Sequence, residues 1–129
     1  MREYLFHGQR VDNGEWVYGS PIFQDAYVLI RFWNSEEFEY EEHLVAPESV
    51  GEWTGLTDKN GKKIFEGDIL EFSDRLVYVF WHAHLGCWDC QFLKYTNKEA
   101  GIDDMSPINW DCKSKVIGNI HDNPELLEG

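Results

Sequence analysis

The chain has 129 residues and a formal net charge of -13, with 11 Lys and Arg against 24 Asp and Glu. Such a surface repels phosphate backbones, which disfavours direct binding to DNA or RNA and leaves a nucleic-acid-associated protein as a secondary hypothesis. Aromatic residues make up 16% of the chain, enough apolar surface for a folded core without disulfides or a structural metal.

The N-terminal residues and the cysteines bear on the compartment. The N-terminus has no long apolar stretch, and no run approaches the ~20 apolar residues that a membrane span needs. We therefore expect a soluble, cytoplasmic protein without a membrane partner. The three cysteines, Cys87, Cys90 and Cys112, are an odd number, which disfavours a disulfide framework and leaves reduced thiols or a metal.

The N-terminal part of the chain predicts strands. Residues 4–11 and 16–18 flank Asp12-Asn13-Gly14 and form a predicted hairpin, which Pro21 closes. Residues 26–33 are a continuous apolar run typical of a strand buried on both sides. Residues 36–42 fit either a helix or a strand; the strand is favoured because no helical spacing follows, and it continues to Val45 before a loop over 46–51.

Residues 53–70 form a joint between two halves, 1–52 and 53–129, which we expect to make one compact unit. Asp58-Lys59-Asn60-Gly61 predicts a tight reversal, and Glu66-Gly67-Asp68 predicts a second turn that leads into a strand over 69–72. Paired carboxylates such as Glu66 and Asp68, or Asp103 and Asp104, are better explained as turn and loop residues than as catalytic acids and bases.

The C-terminal half predicts a hairpin with strands over 76–81 and 87–95 and Leu85-Gly86 as its two-residue loop. This register pairs His84 with Cys87 and Trp81 with Cys90. Residues 96–109 read as a surface loop, residues 115–120 as a last strand, and residues 123–127 as a helical turn capped by Asn123. The whole pattern predicts a mostly β fold, either a small barrel or two packed curled antiparallel sheets, with few short helical turns.

Two blocks of sequence resemble the YopX family of bacteriophage and prophage proteins. The first runs from Trp53-Thr54-Gly55-Leu56 through Asp58-Lys59-Asn60-Gly61 to Glu66-Gly67-Asp68-Ile69, and the second is Ile117-Gly118-Asn119 followed by Asn123-Pro124-Glu125-Leu126-Leu127. The resemblance implies a mostly β fold, homo-oligomers, a phage or prophage origin and no established biochemical activity. It assigns no catalytic residue or cofactor.

Four residues of the C-terminal hairpin have the side-chain types of a zinc site: His82, His84, Cys87 and Asp89. Alternation places these four residues on one face of the hairpin and Cys90 on the other. We therefore favour solvent-facing side chains without a metal, or zinc captured adventitiously at the surface, over a structural zinc site. A metal-binding or hydrolytic enzyme centred on these four residues is the alternative function. A nucleophile at Cys87 or Cys112 is disfavoured because a thiolate needs a positive environment.

An acidic strip with interleaved aromatic side chains suggests a protein-binding surface. Its candidate contact residues are Glu37, Phe38, Glu39, Tyr40 and Glu41. The strip also fits a charged edge strand that prevents wrong pairing. We predict a non-enzymatic accessory protein that assembles with itself and whose acidic surface binds a basic host or phage protein.

Overall fold

Ten β-strands dominate the computed structural model, which describes residues 5–72, 75–95 and 114–127. The strands are β1 (Phe6–Gln9), β2 (Trp16–Phe23), β3 (Val28–Asn34), β4 (Glu39–Val45), β5 (Gly51–Thr57), β6 (Lys63–Phe65), β7 (Asp68–Phe72), β8 (Arg75–His82), β9 (Cys87–Tyr95) and β10 (Lys115–Asn119). Two 3-10 helices cover Pro47–Ser49 and Pro124–Leu127. The predicted mostly β fold with a few short helical turns is confirmed.

The strands form two antiparallel sheets. The strand orders are β4-β3-β2-β1-β5-β6 and β10-β7-β8-β9. Neither sheet closes into a barrel within the described residues, so of the two predicted architectures the antiparallel sheets are the one observed. The chain divides into two compact units, Met1–Trp53 and Thr54–Gly129, and β5 runs across the division. No helix in the described part of the chain is long and apolar enough to cross a membrane.

The first unit is a curled meander of hairpins. Its β1 end reaches β4 through an isolated antiparallel bridge between Arg10 and Val45. The inner face of the curl buries Val28, Ile30 and Val45, with Phe6, Val17 and Val50 packed against them. Burial of these apolar side chains stabilises the curl.

Two predictions for this unit are wrong in detail. Pro21 does not close β2, which continues to Phe23. Among the described residues, only β3 pairs with β2 beyond Gly19, so the missing N–H of Pro21 costs no ladder hydrogen bond to β1. Residues 26–33 are not buried on both sides, because burial along β3 alternates and Arg31 and Trp33 are exposed.

The second unit is built around β7 and β8, which lie in the middle of its four-stranded sheet. Its core consists of Ile64, Leu70, Val77, Val79 and Val116, with Leu56, Trp88 and Cys90 packed against it. The predicted limits of β9 match the observed strand, and β10 ends one residue before the predicted limit. The predicted loop over 96–109 lies outside the described residues.

Candidate functional site

The Asp58 carboxylate organises the joint between the halves of the chain. Its Oδ1 accepts hydrogen bonds from the backbone N–H groups of Asn60 (2.8 Å) and Lys62 (2.9 Å), and its Oδ2 accepts one from Val116 N–H (2.9 Å). Burial opposes the charged form, but these donors and the Lys62 ammonium outweigh it and hold the pKa of Asp58 below its ordinary value. The side chain therefore shapes the turn and ties it to β10.

Asp68 supports the second turn of the joint. The side chain is buried, and its Oδ2 accepts a hydrogen bond from Phe65 N–H at 2.8 Å. Burial raises the pKa of Asp68 to about 7. The preceding Gly67 donates its N–H to Val79 O, and its carbonyl accepts from Ile120 N–H, both at 2.9 Å. Such a buried turn residue fits a structural role, as predicted for Glu66 and Asp68, better than acid or base catalysis.

The closing segment after β10 is held together by asparagine side chains. Asn119 Oδ1 accepts hydrogen bonds from the N–H groups of His121 (3.0 Å) and Asp122 (2.8 Å), while Asn123 Oδ1 accepts from Asn119 N–H (3.2 Å). A Cβ atom at Gly118 would lie 2.2 Å from Asn123 Oδ1, so this close approach requires glycine. The two sequence blocks that carry the family resemblance thus pair with each other through β7 and β10, and their residues have structural roles there.

The β8–β9 hairpin differs from its predicted register. His82 pairs with Cys87, and the loop contains residues 83–86 instead of the predicted two residues Leu85-Gly86. From Val77 to His82 the pairing is therefore shifted by two residues, and Trp81 faces Trp88 instead of Cys90. A shift of two preserves the period of a strand, so the predicted faces survive the wrong register. Cys90 packs against the core, and burial raises the pKa of its thiol to about 12.

The structure brings together part of the predicted metal set. His82 and Cys87 lie directly opposite each other across the hairpin, and Asp89 lies two residues further along β9 on the same face, where it pairs with Phe80. His84 lies in the loop, its ring centroid 6.3 Å from that of His82. Among the described residues no group of three or more His, Cys, Asp or Glu side chains is placed to hold a metal ion. The zinc site stays a prediction.

The structure describes only some of the predicted reactive residues. Cys87 is exposed at the start of β9. Cys112, Asp103 and Asp104 lie outside the described residues. The His82 Nδ1 atom accepts a hydrogen bond from Leu85 N–H at 3.2 Å, which turns this nitrogen towards the loop.

An exposed aromatic patch, formed by Trp33, Phe38 and Tyr40, lies at the end of the β3–β4 hairpin. The exposed fractions are 49%, 82% and 59%, respectively. The rings of Phe38 and Tyr40 both pack edge-on against Trp33, with centroid distances of 6.0 and 5.0 Å. The Arg31 guanidinium lies 4.1 Å from the Tyr40 ring centroid. Large aromatic side chains and arginine are the residues that most often anchor protein interfaces.

The aromatic patch is surrounded by carboxylates. Glu36 and Glu37 are exposed in the adjoining loop, Glu42 is exposed on the face of the patch, and Glu42 Oε1 lies 3.8 Å from Arg31 Nε. Glu39 and Glu41 point to the opposite face, because they alternate with Tyr40 along β4. Glu39 is exposed there, whereas the Glu41 side chain accepts a hydrogen bond from Asn34 Nδ2 and lies 3.3 Å from His43 Nε2. Four of the five predicted contact residues are therefore exposed at this end of the hairpin, and Glu41 is engaged within the fold.

Sequence reasoning missed Trp33 and Arg31 as members of this surface. Both lie in the apolar run over 26–33, which the sequence predicts as a strand buried on both sides. The charge of Arg31 within the apolar run was the available signal, since it marks the face that Trp33 shares at a spacing of two.

Comparisons with known proteins agree with the resemblance seen in the two sequence blocks. No curated protein matches the chain. A solved structure similar to it is the crystal structure of protein EF1440 from Enterococcus faecalis, with 25% sequence identity and a TM-score of 0.58. That comparison covers 99% of this chain and 100% of the other. The family model described as YopX protein matches residues 12–128. Because this match spans nearly the whole chain, the protein belongs to the YopX family.

Proposed function

We propose that this YopX protein is a non-enzymatic accessory protein of a phage or prophage. It works in the cytoplasm of the bacterial host as a homo-oligomer and binds a basic host or phage protein. The aromatic patch is the contact surface, and the surrounding carboxylates attract the partner.

The observation that carries this proposal is the exposure of three large aromatic rings at one hairpin end. Placing such rings in water forgoes the free energy that their burial would supply, and clustered exposed apolar groups mark interaction sites more often than chance positions do. The rings support one another edge-on, so they are partly ordered before any partner arrives. Preordered side chains lose less conformational entropy on binding.

The charge around the patch supports a basic partner. The exposed glutamates add local negative charge to a chain whose formal net charge is already -13. Complementary charge accelerates association and disfavours acidic competitors. The three aromatic rings supply most of the affinity, because the bound partner buries them.

The test is affinity capture from bacterial cells that carry the phage or prophage, with the wild-type chain and a Phe38→Ser, Tyr40→Ser double variant. We expect the wild type to retain a basic protein that is released as salt rises, and the double variant to lose it. Leu85→Ser is the matched control, since Leu85 is also exposed in a hairpin loop but has no neighbouring glutamates in that loop. Equal capture by the double variant and the wild type would contradict the proposal.

A further inference from the structure

The outer backbone edge of β4 next to the aromatic patch has no paired strand among the described residues. β4 is the terminal strand in its sheet and pairs along its length with β3. In an antiparallel ladder the N–H and C=O groups of alternate residues point away from the paired neighbour. The carbonyl of Leu44 points outward, because it accepts a hydrogen bond from Val11 N–H. Alternation therefore turns the backbone groups of Tyr40 and Glu42 outward as well.

The fold already uses one end of this edge for strand pairing. Val11 N–H donates to Leu44 O at 3.2 Å, and Ala46 N–H donates to Gln9 O at 2.9 Å, so residues 9–11 lie antiparallel to the end of β4. The chain then turns back, with Gly14 N–H bonded to Arg10 O. Within the described residues, no backbone hydrogen bond reaches the outward groups of Tyr40 and Glu42. The edge thus has the geometry to accept a further extended segment where the chain's own segment ends.

We propose that an extended, lysine- or arginine-rich segment of the partner adds as a strand along the outer edge of β4, pairing with the backbone of Tyr40 and Glu42. This inference rests on the proposed function and specifies how the partner binds. Strand addition supplies main-chain hydrogen bonds, and the side chains of the added strand alternate between the two faces of the sheet.

Charge selects the occupant of this edge. Glu39, Glu41 and Glu42 flank it on both faces, so lysine or arginine side chains of an added strand would lie beside carboxylates. Directly opposed like charges destabilise a strand pair, which disfavours pairing with the β4 edge of a second copy. On the patch face, Arg31 already lies over the Tyr40 ring, which shows the kind of cation contact that this ring accepts.

The experiment uses the full chain and a capped seven-residue peptide of alternating lysine and valine carrying a fluorescent label. We expect saturable binding by fluorescence anisotropy and slower hydrogen exchange at the amides of Tyr40 and Glu42. The same peptide N-methylated at every residue keeps its charges but has no backbone donor. We expect this control to bind at least about tenfold more weakly, the effect of losing one or more hydrogen bonds.

Two variants of Glu42 separate backbone pairing from charge. Glu42→Gln removes the carboxylate and keeps the outward N–H, whereas Glu42→Pro removes both and leaves the bonds to β3 untouched. The proline variant should bind the unmethylated peptide at least about tenfold more weakly than the glutamine variant. Circular dichroism monitors folding; if the proline variant unfolds, the two peptides on the wild-type chain decide the question.

Equal binding of the two peptides, or equal binding by the two folded variants, would overturn strand addition. The proposed function would survive that result, since the aromatic patch could bind a partner without backbone pairing. The proposed function fails separately, when capture does not depend on Phe38 and Tyr40.

Discussion

The Asp58 carboxylate has three backbone N–H donors, two from its own turn and one from β10. Asp58→Ala leaves the buried Val116 N–H without its acceptor and removes two partly buried bonds of the turn, so we expect the free energy of unfolding to fall by about 3 kcal/mol. Asp58→Asn keeps one oxygen acceptor, so its free energy of unfolding should lie between those of Asp58→Ala and the wild type. Urea denaturation measures the three values.

The control for that prediction is Asp12→Ala. Asp12 is exposed and pairs with Arg10 at 2.7 Å, where solvent screening weakens the ion pair. Its removal should change stability far less than Asp58→Ala does. Similar losses for the two variants would show that the buried hydrogen bonds of Asp58 are not the cause.

The raised pKa of Asp68 predicts that its contribution to stability falls as pH rises, whereas that of a salt-bridged carboxylate rises with pH. The pKa of Asp68 is about 7 in the folded chain, against an ordinary value of 3.8 that applies to the unfolded chain. At pH values between these two, the folded state therefore binds more protons than the unfolded state does. The contribution of Asp68 is therefore fully present below about pH 4 and is lost as pH rises through about 7. We expect Asp68→Asn, which keeps an oxygen for Phe65 N–H, to lack this loss.

The measurement is the unfolding free energy of wild type and Asp68→Asn at several pH values between 4 and 8, by urea denaturation. The stability of the variant relative to the wild type should rise with pH across this window. Parallel profiles for the two proteins would show that Asp68 does not titrate differently on folding.

At the scale of elements, the β3–β4 and β8–β9 hairpins share one loop design. Each has a four-residue loop, and the last loop residue has a left-handed backbone: Phe38 with φ 55° and Gly86 with φ 64°. In each hairpin the residue before the loop accepts backbone N–H groups with its side chain, Asn34 in one and His82 in the other. Phe38 thus occupies a left-handed backbone position where glycine would be less strained. Backbone strain of this kind is often found at binding sites.

This comparison predicts opposite effects of substitution at the two positions. Gly86→Ala should lower the free energy of unfolding by about 1 kcal/mol, because a Cβ disfavours the left-handed region. Phe38→Gly should leave stability unchanged or raise it by up to about 1 kcal/mol, since relief of that cost exceeds the entropy lost by glycine. Thermal and urea denaturation measure both. A large loss of stability in Phe38→Gly would mean that its ring contact with Trp33 holds the hairpin together.

The elements also show what the sequence could and could not predict. Apolar and polar alternation predicted the limits of β9 and the faces of His82 and Cys90, because the period of a strand is a local property. The register between β8 and β9 was wrong, since Leu85-Gly86 suits a two-residue turn while the observed loop uses Gly86 as its last, left-handed residue. The face of Trp33 was missed because an apolar run does not reveal which side a neighbour covers.

At the scale of the whole molecule, the net charge of -13 predicts opposite salt dependences for two kinds of association. Copies of this chain repel one another, and added salt screens the repulsion, so the proposed homo-oligomer should tighten as salt rises. Binding of a basic partner should weaken over the same range. Light scattering after size exclusion and anisotropy titration, each at 50 and 500 mM NaCl, test the two expectations. Weaker self-association at high salt would contradict the first.

The link between Asp58 and Val116 has a consequence for how the protein is made. The two residues are 58 positions apart, and β10 also pairs with β7, so the second unit gains these bonds only after the ribosome has delivered the residues that follow 114. The strand pairs among β1 to β5, by contrast, use residues that emerge earlier. Vectorial synthesis should therefore let the first unit begin folding while the core of the second is still incomplete and exposed to chaperones.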